Sequence, residues 1–249
     1  MAQQTQVERV IPKWTAFLER WPDPETMAAA SLGEVLELWQ GLGYPRRAKA
    51  LWEAAMHISA RHSFPTDLAD LLALPGVGGY TARAVQAFAY EFDVGVVDTN
   101  IARVLARRQG ERLSARVAQD AADRFVPPGR GWAHNQSLMD LGSRLCRPEP
   151  ACETCPLART CAWHQGGHPD PDPAVGSAGV SVRQARFAGS DRQGRGRLLN
   201  ALHNASVSDA ELAVVMGWPE DPERAARVAA TLVADGLARR SGSVFLRAD

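Results

Sequence analysis

The sequence lacks any long apolar run. No stretch approaches the roughly 18–20 consecutive apolar residues that a membrane-spanning helix needs, although 45% of the 249 residues are hydrophobic. The first residues, MAQQTQVERV, also lack the basic and then apolar segments of a secretory signal peptide. These absences predict a cytoplasmic protein with no membrane partner, and the length allows one or two domains.

Lysine is almost absent. Lys13 and Lys49 are the only two lysines among 28 basic residues, so arginine, which suits forked contacts with phosphate, carries nearly all the positive charge. The 28 acidic residues bring the net charge to zero, which argues weakly against a nucleic-acid partner. Local basic clusters favour a nucleic-acid partner, unless they are simply solvated faces of helices. They are Arg46-Arg47, Arg103 with Arg107 and Arg108, and Arg192 with Arg195 and Arg197.

Strand patterns are missing from the first two-thirds of the chain. Across residues 1–163 apolar residues recur every three or four positions, which predicts an all-α domain, and Ser31 with Glu34 predicts a capping box. Residues 164–190 are rich in Pro, Gly and Asp, which predicts a flexible linker. Three helical segments and two short strands around a Ser-Gly turn then predict a small winged-helix-like domain over 191–249.

The stretch LPGVGGYTA, residues 74–82, separates two helical segments with glycine and proline. Gly76, Gly78 and Gly79 permit tight turns and close backbone approach, and Pro75 fixes its own φ. Main-chain N–H groups at such a turn, and at the N-terminus of the next helix, form an anion site. The stretch therefore predicts a helix-hairpin-helix that holds a DNA phosphate, although a plain connection between helices explains the same residues.

Cysteine is scarce and confined to one short segment. Cys146, Cys152, Cys155 and Cys161 have the spacing C-x5-C-x2-C-x5-C. Four thiolates this close can hold one inorganic centre. The spacing favours [4Fe–4S] over zinc, whose four-cysteine sites more often use two CxxC pairs. Disulfides are disfavoured in a chain without an export signal.

The segment VVDTNIARVLAR places Asp98 directly before a helical segment. Helix capping or solvent exposure explains a carboxylate at this position, and the residues alone favour that explanation. Beside a partly dehydrated cleft, the same carboxylate can instead stabilise a sugar cation, the species formed when a glycosidic bond breaks.

These motifs together resemble the A/G-specific adenine DNA glycosylases, within the helix-hairpin-helix superfamily that includes endonuclease III. The resemblance runs from QQTQVERVIP through LWQGLGYPRRA, LPGVGGYTARAV, VVDTNIARVLAR and LMDLGSRLC to CETCPLARTC. It implies a base-excision-repair hydrolase that acts, as a monomer, on double-stranded DNA with adenine opposite guanine or 8-oxoguanine. It also implies a [4Fe–4S] cluster, although the first cysteine gap is one residue shorter than usual in the family.

The resemblance also implies roles for individual residues. Asp98 matches the catalytic aspartate and Asn100 a polar residue that supports it. Tyr80 stands where strand-cleaving relatives have a lysine, which implies a monofunctional glycosylase without a Schiff-base intermediate. Gln4 and Tyr44 match residues that wedge into the duplex when the target base is flipped.

The main chain of the hairpin has an implied role as well. In relatives, carbonyls at the positions of Leu72, Leu74 and Val77 hold a monovalent cation. That cation supports the contact between the glycine-rich turn and a phosphate of the DNA strand. The cation is therefore a second expected ligand of the protein.

The chain departs from the family pattern at both ends. The family's general acid is a glutamate two residues before the position of Met1, and the usual C-terminal domain that reads 8-oxoguanine is longer than the tail here. Loss of a general acid costs about 10²–10⁴-fold in rate. Because Asp98, Tyr80 and all four cysteines remain in place, we expect Met1 to be an internal residue of a longer reading frame rather than the start of a shortened form with little glycosylase activity. We expect the chain as given to bind DNA but excise adenine poorly.

Two other functions fit the same residues. The shared scaffold also serves glycosylases specific for thymine or oxidised pyrimidines. A non-catalytic, cluster-bearing DNA-binding protein is the alternative from another class, because the family's catalytic glutamate is absent from this chain.

Overall fold

The computed structural model describes residues 1–2, 5–180 and 186–248, and it is mostly helical. The helices in these ranges, apart from two 3-10 turns, are α1 (Val7–Arg20), α2 (Pro24–Ala28), α3 (Leu32–Leu38), α4 (Arg46–Arg61), α5 (Leu68–Leu72), α6 (Gly79–Phe88), α7 (Thr99–Gln109), α8 (Ala115–Phe125), α9 (Gly131–Arg144), α10 (Ala162–Gln165), α11 (Asp191–Leu202), α12 (Leu212–Met216) and α13 (Pro222–Ala234). The strands are β1 (Val207–Ser208), β2 (Ala238–Ser241) and β3 (Val244–Arg247). None of these described helices has the length and apolar content that a membrane crossing requires.

Polar side chains set the start of several helices. The Ser31 hydroxyl accepts the Glu34 N–H, and the Glu34 carboxylate accepts the Ser31 N–H at 2.9 Å, which confirms the predicted capping box of α3. Ser208 and Glu211 exchange comparable bonds just before α12. The cap of α3 satisfies main-chain groups that the first turn of a helix leaves unpaired, whereas α12 begins after Glu211 without a side-chain cap.

The described part of the chain forms two compact units. The first unit contains residues 1–64, 74–76 and 186–248, so α1–α4 share a core with the C-terminal helices and strands. Its buried side chains come from both parts of the sequence and include Val35, Trp39, Leu198, Met216, Leu232 and Phe245. Burial of this apolar surface is the main favourable term that stabilises the unit.

A three-stranded antiparallel sheet belongs to the first unit. Its strand order is β1-β3-β2, with Val207 opposite Phe245 and Ser241 opposite Val244. Gly242, at φ 58°, supplies the left-handed residue between β2 and β3, as the predicted Ser-Gly turn requires. The two-residue strand β1 was not predicted, because so short a segment carries no alternating pattern.

The second unit contains residues 65–73 and 77–180, and α7 is its most buried helix. Seven consecutive residues of α7, from Ile101 to Arg107, are buried. Apolar residues of α7 pack against Ala118 and Ala122 of α8 and Leu138 of α9. A helix buried on all sides has no solvated face, so its polar side chains need partners within the protein.

Part of the expected linker is anchored to the second unit. The carboxylate of Asp172 pairs with Arg107, the Ser177 hydroxyl accepts the Leu113 N–H at 2.9 Å, and Ala174 is buried. Residues 172–178 are therefore held in place, although we expected flexibility across 164–190. The segment has few apolar contacts, and hydrogen bonds and an ion pair hold it instead. The domain boundaries predicted at residues 163 and 190 stay a prediction.

Two glycines of α11 provide a test of the packing in the first unit. A Cβ at Gly194 would lie 2.1 Å from Cη2 of Trp218, whereas a Cβ at Gly196 meets no described heavy atom within 4 Å. We predict that Gly194→Ala lowers the free energy of unfolding by about 1–3 kcal/mol, because the indole must move. Gly196→Ala is expected to raise it by up to about 1 kcal/mol, because alanine favours the helix. Urea unfolding measures both, and equal effects would contradict the packing of Trp218 on α11.

Candidate active site and cysteine loop

Asp98 is the N-cap of α7. Its Oδ1 accepts the Ile101 N–H at 2.7 Å, and its Oδ2 accepts from Nδ2 of Asn100 at 3.0 Å. The capping role that the residues alone favoured is therefore present. Both bonds hold the half-buried carboxylate in one orientation, which is also what an electrostatic catalyst requires.

Tyr80 lies in the first turn of α6, close enough to Asp98 for the two to interact electrostatically. Burial, and then the negative charge of Asp98, raise the pKa of Tyr80 above its ordinary value. The phenol therefore stays protonated at neutral pH, and its side chain is 43% exposed. Of the three residues expected to be catalytic, Asp98 and Asn100 are hydrogen-bonded to each other, and Tyr80 is within electrostatic range of Asp98.

Arg103 links this carboxylate to the segment that carries the cysteines. Its Nη2 donates to Oδ1 of Asn100 at 2.8 Å and to the Gly142 carbonyl at 2.7 Å, and its Nε donates to the Cys146 carbonyl. Gly142 permits this approach, because a Cβ there would lie 2.6 Å from Cβ of Asn100. A continuous set of hydrogen bonds therefore runs from Asp98 to Cys146.

Arg107, one turn further along α7, is only 2% exposed. It pairs with Asp172 at 2.6 Å, donates to the Arg147 carbonyl at 2.6 Å, and lies 4.7 Å from the ring centroid of Trp163. Its Nη1 is also 3.5 Å from Sγ of Cys146. Arg103 and Arg107 are therefore buried structural cations rather than members of a solvated basic face.

The four cysteines line one small cavity, together with Arg107, Leu145, Trp163 and His164. All four carry free thiols. Burial raises the pKa of Cys146 and of Cys152, whereas a bound metal would favour their thiolates. Four convergent sulfurs beside a buried guanidinium fit an anionic iron–sulfur centre.

A second donor set overlaps the first. One ligand atom each from Cys152, His164 and His168 lie within 4.8 Å of one another, and Nδ1 of His164 is 3.1 Å from Nε2 of His168. These histidines follow the cysteine motif and were not singled out from the sequence. The region can therefore hold a metal through cysteine and histidine side chains.

The glycine-rich stretch follows α5 and leads into α6. Gly76 has φ 72°, and a Cβ there would lie 2.5 Å from Cβ of Ala50, so its backbone needs glycine. Gly78 is the N-cap of α6, and a Cβ at Gly78 or Gly79 would meet no described atom within 4 Å. Open space at an N-terminus that no described side chain caps suits the approach of an anion.

The remaining expected site residues lie elsewhere along the chain. Tyr44 is in the loop between α3 and α4, and its hydroxyl accepts from Arg192 at 3.0 Å. Gln4 lies outside the described residues. Leu72 ends α5, and Leu74 and Val77 follow before α6, so their carbonyls belong to the predicted hairpin. The cation that they were expected to hold stays a prediction.

Paired short helices around a glycine-rich turn, a carboxylate at the start of the next helix and a four-cysteine loop define a class: base-excision enzymes built on the helix-hairpin-helix. Residues 1–127 match the family described as "HhH-GPD superfamily base excision DNA repair protein". The chain belongs to that family. The expected fold and the expected DNA N-glycosylase class, a hydrolase of base-excision repair, are confirmed.

Individual relatives agree with this assignment. An adenine DNA glycosylase of Mycolicibacterium smegmatis is 41% identical over 250 residues, which cover 97% of this chain and 82% of that protein. One from Mycobacterium tuberculosis is 43% identical over 252 residues, covering 97% and 80% respectively.

Solved structures give the same fold. A thermostable thymine-DNA glycosylase matches with a TM-score of 0.62 at 26% identity, covering 66% of this chain and 80% of that one. A non-covalent endonuclease III–DNA complex matches with a TM-score of 0.59 at 23% identity, covering 67% and 80%. The second likeness concerns the fold alone.

The bonds of Arg103 lead to a prediction about stability. Arg103→Lys replaces a planar fork with a compact ammonium, whose donors lie on one nitrogen and do not span the separate positions from which Nε binds Cys146 and Nη2 binds Asn100 and Gly142. We expect the free energy of unfolding to fall by about 1–3 kcal/mol. Arg108→Lys on the same helix is the control. It keeps a cation over Phe125 and should stay within about 0.5 kcal/mol. Two variants of equal stability in urea would contradict the hydrogen-bonded link.

Proposed function

We propose that this glycosylase hydrolyses the N-glycosidic bond of adenine mispaired with guanine or 8-oxoguanine, and that it is monofunctional. The observation that carries the proposal is the carboxylate of Asp98, fixed by Ile101 and Asn100 and lying near Tyr80. Relatives at 41% and 43% identity over most of the chain are adenine DNA glycosylases, which favours adenine as the excised base.

Asp98 acts through its charge. As the bond to the base breaks, positive charge develops on the deoxyribose, and a fixed carboxylate stabilises that charge without having to reorient. Asn100 and the Ile101 N–H hold the carboxylate, and Arg103 in turn holds Asn100. Asn100 is therefore a positioning residue, and Asp98 is the group that faces the sugar.

Tyr80 restricts the reaction to hydrolysis. A phenol at this position offers no amine for a Schiff base with the sugar, so water completes the reaction and the strand stays intact.

DNA is bound through main chain as well as side chains. Pro75, Gly76, Gly78 and Gly79 form the turn that receives a phosphate, and the N-terminus of α6 adds its dipole. The carbonyls of Leu72, Leu74 and Val77 hold a monovalent cation beside that turn. Gln4 and Tyr44 enter the duplex as the target base leaves the stack, which an enzyme acting on a base inside a duplex requires.

Cys146, Cys152, Cys155 and Cys161 hold a [4Fe–4S] cluster in this proposal. Base hydrolysis needs no electrons, so the cluster supplies a structural cross-link of the segment that follows α9. Arg107 supports it with a positive charge near Sγ of Cys146. Asp172 in turn keeps that charge paired.

A second candidate is excision of thymine, because the chain shares its fold and 26% identity with a thymine-DNA glycosylase. A panel of duplexes with A:G, A:8-oxoguanine, T:G and oxidised-pyrimidine pairs separates the two activities. Tight mismatch binding without any released base would favour a non-catalytic DNA-binding role instead.

The charge of Asp98 can be removed with little change in shape. Asp98→Asn keeps an oxygen that can accept the Ile101 N–H but loses the carboxylate charge. We predict that single-turnover release of adenine from an 8-oxoguanine:A duplex slows by about 10²–10³-fold, as when one electrostatic stabiliser is lost. Asp120→Asn, at an exposed carboxylate of α8, removes the same charge and should leave the rate unchanged.

The comparison is made in this chain and in the same chain extended upstream by the family's glutamate segment. One or both of these two forms should release adenine at a measurable rate. In each form that does so, we expect the parent to release adenine much faster than its Asp98→Asn variant. If the Asp98→Asn variant of the extended chain released adenine as fast as its parent, the assigned role of Asp98 would be overturned.

The cysteine loop gives a prediction about metal content. The purified chain should contain iron and acid-labile sulfide in equal amounts, about four of each for a [4Fe–4S] centre. Cys155→Ser should lower both, because it removes a ligand. His168→Ala should leave both unchanged, because this histidine belongs only to the overlapping donor set. Zinc without sulfide, or loss of iron in His168→Ala, would contradict the four-cysteine assignment.

A further inference from the structure

The loop that carries Tyr44 has an unusual backbone. Gly41 and Gly43 have φ of 88° and 70°, and Tyr44 itself has φ of 48°. Glycine adopts this left-handed region readily, but a bulky residue there is an outlier and persists only when its surroundings hold it. Tyr44 is therefore presented at a fixed place by contacts outside its own backbone.

Neighbouring residues supply part of that support. Nε1 of Trp39 donates to the Gly43 carbonyl at 2.8 Å, and Arg47 donates to the Leu42 carbonyl at 3.2 Å. The Arg47 guanidinium also lies 5.1 Å from the ring centroid of Tyr44, within the range of a cation–π contact. These bonds fix the path of the loop and one face of the ring.

The C-terminal part of the same unit supplies a further contact. Nη1 of Arg192, in the first turn of α11, donates to the Tyr44 hydroxyl at 3.0 Å. Arg192 is separated from Tyr44 by 148 positions and belongs to a basic cluster that the proposed function does not otherwise use.

A second connection secures the helix that follows the loop. The carboxylate of Asp235, just after α13, accepts from Nε of Arg46 at 2.6 Å and from Arg195 at 2.5 Å. The Asp235 carbonyl accepts from Nζ of Lys49 at 2.8 Å. The C-terminal segment thus fixes the first turn of α4 as well as the tip of the tyrosine beside it.

We propose that Arg192 is a positioning residue that holds the Tyr44 ring ready for insertion into the duplex. The proposal rests on the proposed function, in which Tyr44 enters the DNA stack. A bond to a charged donor is stronger than a neutral one, and an aromatic ring already held in place loses little freedom on binding. The C-terminal segment therefore contributes to mismatch binding by ordering a side chain that precedes it by 148 positions.

The test is a double-mutant cycle on the purified full chain. Tyr44→Phe removes only the hydroxyl, whereas Arg192→Met removes the whole guanidinium, which includes the donor to Tyr44 and the contact 5.9 Å from the ring centroid of Phe187. We expect each to weaken binding to an 8-oxoguanine:A duplex by about 3–10-fold, the loss expected for one partly exposed charge-assisted bond. The double variant should have the same affinity for the duplex as the single variant that binds less tightly, because both changes break the same bond. Arg192→Lys should recover most of the affinity.

A spectroscopic readout separates positioning from general stability. The duplex carries 2-aminopurine beside the mismatch, and its fluorescence increases when the stack opens. Both single variants should lower this increase at saturating protein, with little change in unfolding temperature. Arg240→Met is the matched control, because Arg240 pairs with Asp209 in the same segment, at a site that takes no part in holding the loop. It should leave the fluorescence unchanged.

The outcomes distinguish the inference about Arg192 from the proposed insertion of Tyr44 into the duplex. Tyr44→Ala removes the whole ring, and if it leaves binding and fluorescence intact, the wedge role fails and the inference fails with it. If Tyr44→Ala weakens both while Tyr44→Phe and Arg192→Met leave both unchanged, the wedge role stands and the Arg192 inference is wrong. Additive losses in the double variant would also overturn it, since they would mean that the two residues act separately.

Discussion

The structure depends on a helix that is buried and charged at the same time. Helix α7 begins at the Asp98 carboxylate and carries Arg103 and Arg107, which are 8% and 2% exposed. Unpaired charges in such positions would be strongly destabilising. Each guanidinium therefore has several acceptors, which come from Asn100, from the segment around Cys146 and from Asp172. The orientation of the carboxylate and the path of the cysteine loop are consequently set by the same bonds.

This arrangement lets the capping carboxylate of Asp98 also meet the requirements of the catalytic role proposed for it. A capping aspartate is common, and by itself it says nothing about chemistry. At Asp98 the cap bond from Ile101 and the bond from Asn100 use both oxygens, yet the carboxylate stays half-buried near Tyr80. The fold thus fixes a negative charge in a partly dehydrated place. A reaction whose transition state carries positive charge on the sugar benefits from such a charge, and cleavage of the bond to a base is that kind of reaction.

Local chemistry made much of the fold predictable, whereas long-range pairing did not. The capping box of Ser31 and Glu34 and the Ser-Gly turn before β3 depend on neighbours in sequence. Asp98 as a cap and the cysteine motif are local in the same way. The burial of Arg107 depends on Asp172, 65 positions away, and the pattern of α7 alone equally fits a solvated basic face. The composition of residues 172–178 predicts a segment that cannot fold. The segment is ordered because Asp172 and Ser177 bind Arg107 and Leu113, and composition does not reveal such partners.

The central claim is that the charge of Asp98 stabilises a cationic sugar, and binding tests it without requiring turnover. A duplex is prepared with a pyrrolidine abasic analogue, which is cationic, and another with its neutral tetrahydrofuran counterpart. The protein should bind the cationic duplex more tightly by about 10²-fold, the lower end for transition-state mimics. Asp98→Asn should lose that preference while binding the neutral duplex as before. An Asp98→Asn variant that keeps the full preference for the cation would contradict the account.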